Sequence, residues 1–116
     1  MREGFLVMIE QIIKRDGRTA PFDLDKIANA IFGAAQSVGG QDYEMAHELA
    51  EQVEKELEKT VSEKIPTVEQ IQDTVETVLI ESGHARTAKK YILYRNERTR
   101  VREMNTRLMK VYEDLT

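Results

Sequence analysis

Four cations fall close together near the start of the chain: Lys14, Arg15, Arg18 and Lys26. Lys14 and Arg15 run into Asp16-Gly17, a pair that favours the tight turn of a β-hairpin because such turns need positive φ. Lys26 follows Asp23, a good N-cap, and so falls in the first turn of a helix. A helix start adds free amide donors and the positive end of the helix dipole. Cations at such a corner, on a chain of net charge −4, suggest a small anionic ligand. Charges beside a hairpin are also commonly a solvated rim, and the residue types alone leave both readings open.

Other chemistries have less to build on. The 116 residues include no Cys, which removes disulfides, thiolate metal sites and thiol or thiyl-radical chemistry from this chain. His47 and His84 are far apart and neither belongs to a ligand-spaced pair, so neither zinc nor a His-based catalytic site is expected. There is no nucleophile elbow, Gly-rich phosphate loop or HExxH motif. A pI near 5.3 argues against general nucleic-acid binding, which needs a basic footprint. No apolar run approaches a membrane span. Residues 1–7 read as a loose leader, and Glu10 breaks the run after Gly4, so it is no signal peptide. A cytoplasmic protein is expected.

The length fits one domain. With 41% hydrophobic residues, no Trp and only three Phe and four Tyr, its core must be mostly aliphatic. The spacing predicts a strand over 8–14, with β-branched Ile9, Ile12 and Ile13, and a short return strand over 19–22. Pro21 lacks an amide donor and keeps that strand short or at an edge. A helix over 24–38 follows, with Leu24, Ile27, Ala28, Ile31, Phe32 and Ala35 on one stripe. Gly39-Gly40 ends it, and Asp42 caps a second helix over 43–60. Lys64-Ile65 could add a third strand to the hairpin edge. Thr67 and Gln70 form a capping-box pair before a third helix, which Ser82-Gly83 terminates.

Nothing after Ala85 breaks a fourth helix, since Gly and Pro are absent there. Tyr91, Tyr94, Arg98, Val101, Met104, Leu108, Val111 and Leu115 recur at three- and four-residue steps, a heptad-like seam with one polar member. This helix should outrun the other three. Its tail needs a partner, should fold back, or should fray.

Taken together, the Lys14-Arg15-Asp16-Gly17 hairpin, Pro21-Phe22-Asp23 with Lys26, Ile65-Pro66-Thr67 and a closing helix carrying Tyr91, Tyr94 and Arg95 resemble the ATP-cone. That is the nucleotide-binding regulatory domain of ribonucleotide reductases and of a related transcriptional repressor. The run Tyr94-Arg95-Asn96-Glu97-Arg98-Thr99-Arg100 resembles most the anaerobic, glycyl-radical ribonucleoside-triphosphate reductase near its N-terminus. The resemblance implies an α+β, mostly α fold: a four-helix bundle capped by a β-hairpin or three-stranded sheet, with a long C-terminal helix. It implies a nucleotide-binding domain over 8–98 and a helical extension over 99–116. ATP and dATP, with Mg²⁺, would compete under the cap as allosteric ligands, ATP keeping an attached reductase active and dATP shutting it down.

The resemblance also implies which residues bind. Lys14, Arg15 and Lys26 would hold phosphates, and Ile12 and Phe22 would flank the pocket. Asp23 would reach base or sugar, beside its role as N-cap. Ala20 falls where many members carry an acidic or polar residue. Thr67 matches a nucleotide-contacting threonine, and capping a helix explains it equally. Tyr94 would meet the site or be a half-buried bundle residue; Arg98 would reach phosphate or pair with Glu. Lys89 and Lys90 read as solvated surface.

No residue here is expected to be catalytic; an allosteric sensor of an anaerobic ribonucleotide reductase is the leading reading. Its partner would be a reductase catalytic domain, in the same or another chain, with neither nucleic acid nor membrane bound directly. Self-association through the C-terminal helix is a further expectation. The alternatives are a nucleotide-responsive transcriptional regulator, which the missing zinc-ribbon cysteines disfavour, and a free-standing helical assembly module.

Overall fold

Local signals set where each element begins and ends. In the computed structural model, which describes residues 9–61 and 65–115 (the side chain of Leu115 excepted), two strands and four helices follow in order. They are β1 (Gln11–Ile13), β2 (Thr19–Pro21), α1 (Leu24–Gln36), α2 (Tyr43–Thr60), α3 (Val68–Glu81) and α4 (Ala85–Leu115). Each of the first three helices starts on a side-chain cap. Asp23 accepts from the amides of Asp25 and Lys26, and Asp42 accepts from that of Met45. Thr67 and Gln70 form the full reciprocal capping box.

The stops are equally local. Gly39, at φ 96°, leads into Gly40, whose amide donates to the Ala35 carbonyl at 2.8 Å. Only glycine adopts this φ without strain. The chain therefore turns from Ser37, and α1 ends at Gln36, short of the expected Val38.

Apolar residues at three- and four-residue steps bury one face of each short helix. Ala28 and Ile31 of α1, Leu49, Val53 and Leu57 of α2, Val75 and Leu79 of α3 and Tyr91 of α4 belong to one buried cluster, the core. The helices pack in a ring: α1 against α2 and α4, and α3 against α2 and α4. Since α1 and α3 run away from the hairpin and α2 and α4 run back, one bundle end collects two helix N-termini.

The cap differs in one respect from the sequence expectation. β1 and β2 pair antiparallel, with Ile12 opposite Ala20. The second partner of β1 is a single parallel bridge between Ile13 and Thr67, fixed by the Ile13 amide donating to the Pro66 carbonyl at 2.8 Å. Lys64, expected in that strand, lies outside the described residues, as do Met8 and the leader. Pro66 has no amide to donate, and Thr67 already opens α3, so the pairing stops after one bridge. β1 itself is shorter than the expected 8–14.

From Arg100 to Asp114 every described residue of α4 is exposed. The 31-residue helix is about 46 Å long at 1.5 Å per residue, and its second half stands clear of the bundle. Tyr91 leaves the expected seam by turning into the core, whereas Tyr94 is exposed.

Candidate functional site

The hairpin turn is tightly specified. The Lys14 amide donates to the Arg18 carbonyl at 2.7 Å and the Gly17 amide to the Lys14 carbonyl at 2.9 Å, with Gly17 at φ 90°. Asp16 accepts from the Arg18 amide at 3.1 Å and from Arg18 Nε at 2.8 Å. The amide bond above all, then the guanidinium, holds the Asp16 carboxyl below its ordinary range. Arg18 is thereby neutralised at the turn.

Arg15 is also engaged. Its guanidinium crosses to the first turns of α3, where Nη1 pairs with the Glu69 carboxylate and Nη2 donates to Gln72 Oε1 at 3.1 Å. Two of the four hairpin cations therefore have internal partners. Lys14 and Lys26 are exposed and form no ion pair among the described residues. They are the cations most open to an anion.

The other expected residues divide into two groups. Ile12 and Phe22 are half-buried and pack on the core beneath the hairpin, and the Phe22 amide donates to the Glu10 carbonyl at 2.9 Å. Asp23 spends one carboxylate oxygen on the Asp25 and Lys26 amides, at 3.1 and 3.4 Å. Thr67 Oγ1 accepts from the Gln70 amide at 3.1 Å, and the bridge to Ile13 holds Thr67 against β1. These residues, with Lys14, Arg15 and Lys26, gather at the hairpin end of the bundle.

Tyr94 and Arg98 stand apart from that group. Tyr94, 63% exposed, lines an open cleft of about 720 Å³ between α1 and α4, together with Asn29, Ala30, Gly33 and Leu93. Arg98 is exposed on α4 and has no ion pair among the described residues. Another cavity, of about 500 Å³, lies at the opposite end, between Gly39-Gly40 and the α3–α4 turn, remote from the hairpin cations. No cluster of three or more His, Asp or Glu that could hold a metal occurs among the described residues.

Sequence reasoning missed Glu69 and Gln72, and named Arg95 only as part of the closing-helix motif, without a partner. Arg95 is 17% exposed and its Nη1 reaches both Asp73, at 2.8 Å, and Glu76, at 2.6 Å. Burial works against its charge, but the bonds and charges of Glu76 and Asp73 outweigh it and hold the guanidinium above its ordinary range. Burial also pushes the neighbouring Tyr91 hydroxyl up to about 12. The signal that could have found these residues is the polar stripe of α3. Glu69, Gln72, Asp73 and Glu76 recur at helical spacing beside its apolar face, so they must meet whatever packs there.

The match to known proteins covers this whole assembly. The family described as the ATP cone domain matches residues 10–100. The chain belongs to the ATP-cone family. This ATP cone is 42% identical over 113 residues to a vitamin B12-dependent ribonucleoside-diphosphate reductase of Thermoplasma acidophilum, covering 93% of the chain and 14% of that relative. It is 36% identical over 104 residues to an anaerobic ribonucleoside-triphosphate reductase of Haemophilus influenzae, covering 90% of the chain and 15% of the relative. Over 101 residues it is 38% identical to a ribonucleoside-diphosphate reductase subunit alpha of Chlamydia muridarum, covering 79% and 10%. The ATP cone thus spans about a seventh of the length of the first two relatives. Reductases of three descriptions share it, so the similarity does not single out the anaerobic kind to which the run 94–100 pointed.

Proposed function

We propose that this chain is an allosteric nucleotide sensor in which ATP and dATP compete at the hairpin end of the bundle. One observation carries the reading. The Ile13–Thr67 bridge sets the Lys14-Arg15 turn beside the N-termini of α1 and α3, so cations and the positive ends of two helix dipoles converge. Lys14, Arg15 and Lys26 take the phosphates, Ile12 and Phe22 flank the base, and Asp23 and Thr67 offer polar contacts while capping their helices. Tyr94 and Arg98 contribute only if the ligand extends across the bundle end to α4. Mg²⁺ arrives on the triphosphate, whose oxygens hold it; that ion ordinarily keeps few protein ligands, which suits the lack of an acidic cage among the described residues.

The sensor's output is the overall activity of a ribonucleotide reductase, with ATP permitting and dATP stopping deoxynucleotide synthesis. Its partner is a reductase catalytic domain, in the same polypeptide or another. The run Tyr94 to Arg100 favours the anaerobic class, and two anaerobic reductases are among the relatives, at 36 and 32% identity. Residues 8–98 form the sensing domain and 99–116 the joining element, which also brings copies of the chain together. A cytoplasmic location goes with this role. No described helix is long and apolar enough to cross a membrane.

Titration calorimetry with Mg-ATP, Mg-dATP and adenosine tests the site. Both triphosphates should bind and adenosine only weakly, because phosphates supply most of the charge contact. Lys14→Ala combined with Arg15→Ala should abolish triphosphate binding and leave the fold intact, since Lys14 is exposed and Arg15 bonds only the surface residues Glu69 and Gln72. Wild-type ATP affinity in the double variant would refute the phosphate assignment.

A further inference from the structure

Thr87, in the first turn of α4, is only 8% exposed. Neither its hydroxyl nor its amide has a hydrogen-bond partner among the described residues. Buried polar groups are almost always bonded, so two orphans on one residue mark a place where a partner comes from outside the chain. The helix start accounts for the amide. α1, α2 and α3 each begin on a side-chain cap. His84 offers α4 only its carbonyl, which accepts from the Ala88 amide at 2.8 Å. The amides of Ala85, Arg86 and Thr87 are left over.

Thr87 is one wall of the cavity of about 500 Å³ at the bundle end away from the hairpin, and what surface it keeps opens there. Small residues make this hollow: Ala35, Gly39 and Gly40 close α1, Ala46 lies in α2, and Gly83 precedes α4. Ile31, Val38, Met45 and Leu49 give it apolar walls. The α4 side is polar. Half-buried His84 stands there with Arg86, which is exposed and forms no ion pair among the described residues. Asp42 is the one carboxylate among the lining residues, and it accepts from the Met45 amide at 3.0 Å.

We propose that this cavity binds a small monocarboxylate with an apolar body. The carboxylate sits at the start of α4, where the Thr87 hydroxyl and the leftover amides donate to it and Arg86 supplies the opposite charge. The positive end of the helix dipole adds to that attraction. The apolar body lies against α1 and α2. Arg86 and Asp42 balance each other, which suits a single negative charge and not a triphosphate. The hairpin end, where Lys14, Arg15 and Lys26 gather, has the opposite preference. The cavity is of a size usual for small-molecule sites.

The test titrates octanoate, octanol and acetate into the full chain, followed by amide NMR. Octanoate should shift the Thr87 and Gly40 signals to saturation, and excess Mg-ATP should leave that binding unchanged. Octanol and acetate each carry half of the ligand and should bind at least about ten-fold more weakly. Thr87→Val keeps the shape and removes the hydroxyl. It should weaken octanoate about ten-fold and raise the melting temperature of the unliganded protein, since an orphaned buried hydroxyl destabilises. Unchanged octanoate affinity or a lower melting temperature in Thr87→Val would overturn the role of Thr87. Arg86→Glu, at an exposed first-turn position where an acid suits the helix dipole, should weaken octanoate and leave octanol unaffected. Octanol binding as tightly as octanoate would overturn the carboxylate assignment. Displacement of octanoate by Mg-ATP would overturn the separate site. No saturable shift at Thr87 would mean that water alone meets its hydroxyl, and would overturn the inference outright. The calorimetric test of the hairpin end stands or falls apart from these results.

Discussion

Replacing Glu69 with Gln should tighten triphosphate binding while lowering the stability of the fold. The Arg15 guanidinium sits between the Glu69 carboxylate and Gln72 Oε1, with 29% of the Arg15 side chain and 47% of the Glu69 side chain open to water. Ion pairs this exposed are worth roughly 0.2–1 kcal/mol. Glu69 also lies in the first turn of α3, where a negative charge adds about 0.3–1 kcal/mol against the helix dipole. The substitution should therefore lower stability by about 1 kcal/mol, which moves the melting temperature by roughly 4–8 °C in a domain of this size. The ligand effect has the opposite sign. A phosphate that uses Arg15 must first displace the carboxylate, and relief from a ~1 kcal/mol contact corresponds to about five-fold tighter binding. Calorimetry of Mg-ATP on both proteins, at low salt where the pair is least screened, reads the change directly. Unchanged or weaker ATP binding in Glu69→Gln would refute the idea that Arg15 trades its carboxylate for a phosphate.

Arg95→Met should cost about 1–3 kcal/mol in urea unfolding, because a mostly buried guanidinium is lost and Glu76, whose side chain is 23% exposed, is left without its partner. Stability should fall as pH rises from about 10 towards 12. In that window unfolded chains release the Tyr91 proton while the folded protein, with the hydroxyl pushed up to about 12, keeps it, so folding binds the extra proton. Tyr91→Phe should flatten that slope, and one of the four tyrosines should titrate last by tyrosinate absorbance. Thr67→Ala should lose about 1 kcal/mol with the capping box and should also weaken nucleotide binding, while Thr67→Ser should restore both. Lost stability with unaltered ATP affinity would leave Thr67 a cap alone.

The elements and their limits were largely legible in the sequence. Asp16-Gly17, the caps Asp23, Asp42 and Thr67, and the stops at Gly39 and Gly83 act through atoms a few residues away. Hydrogen bonds of that range form whatever the rest of the chain does. The apolar stripe of α1 was legible for the same reason, since helical spacing alone places it on one face. The gathering of Lys14, Arg15, Asp23 and Lys26 follows from a hairpin running straight into a helix. Tertiary packing decided the rest. Thr67 meets Ile13, and Arg15 meets Glu69 and Gln72, only because the bundle brings α3 back beneath the hairpin. The expected third strand shrank to one bridge because a proline and a helix cap compete for the same residues. Tyr91 and Tyr94 are three residues apart and both apolar enough for a core, yet one is buried and the other lines an open cleft. Spacing along one helix shows which residues share a face, whereas burial depends on where the neighbouring helices end. Past Arg100 there is no shorter helix left to cover α4, so its apolar stripe meets water.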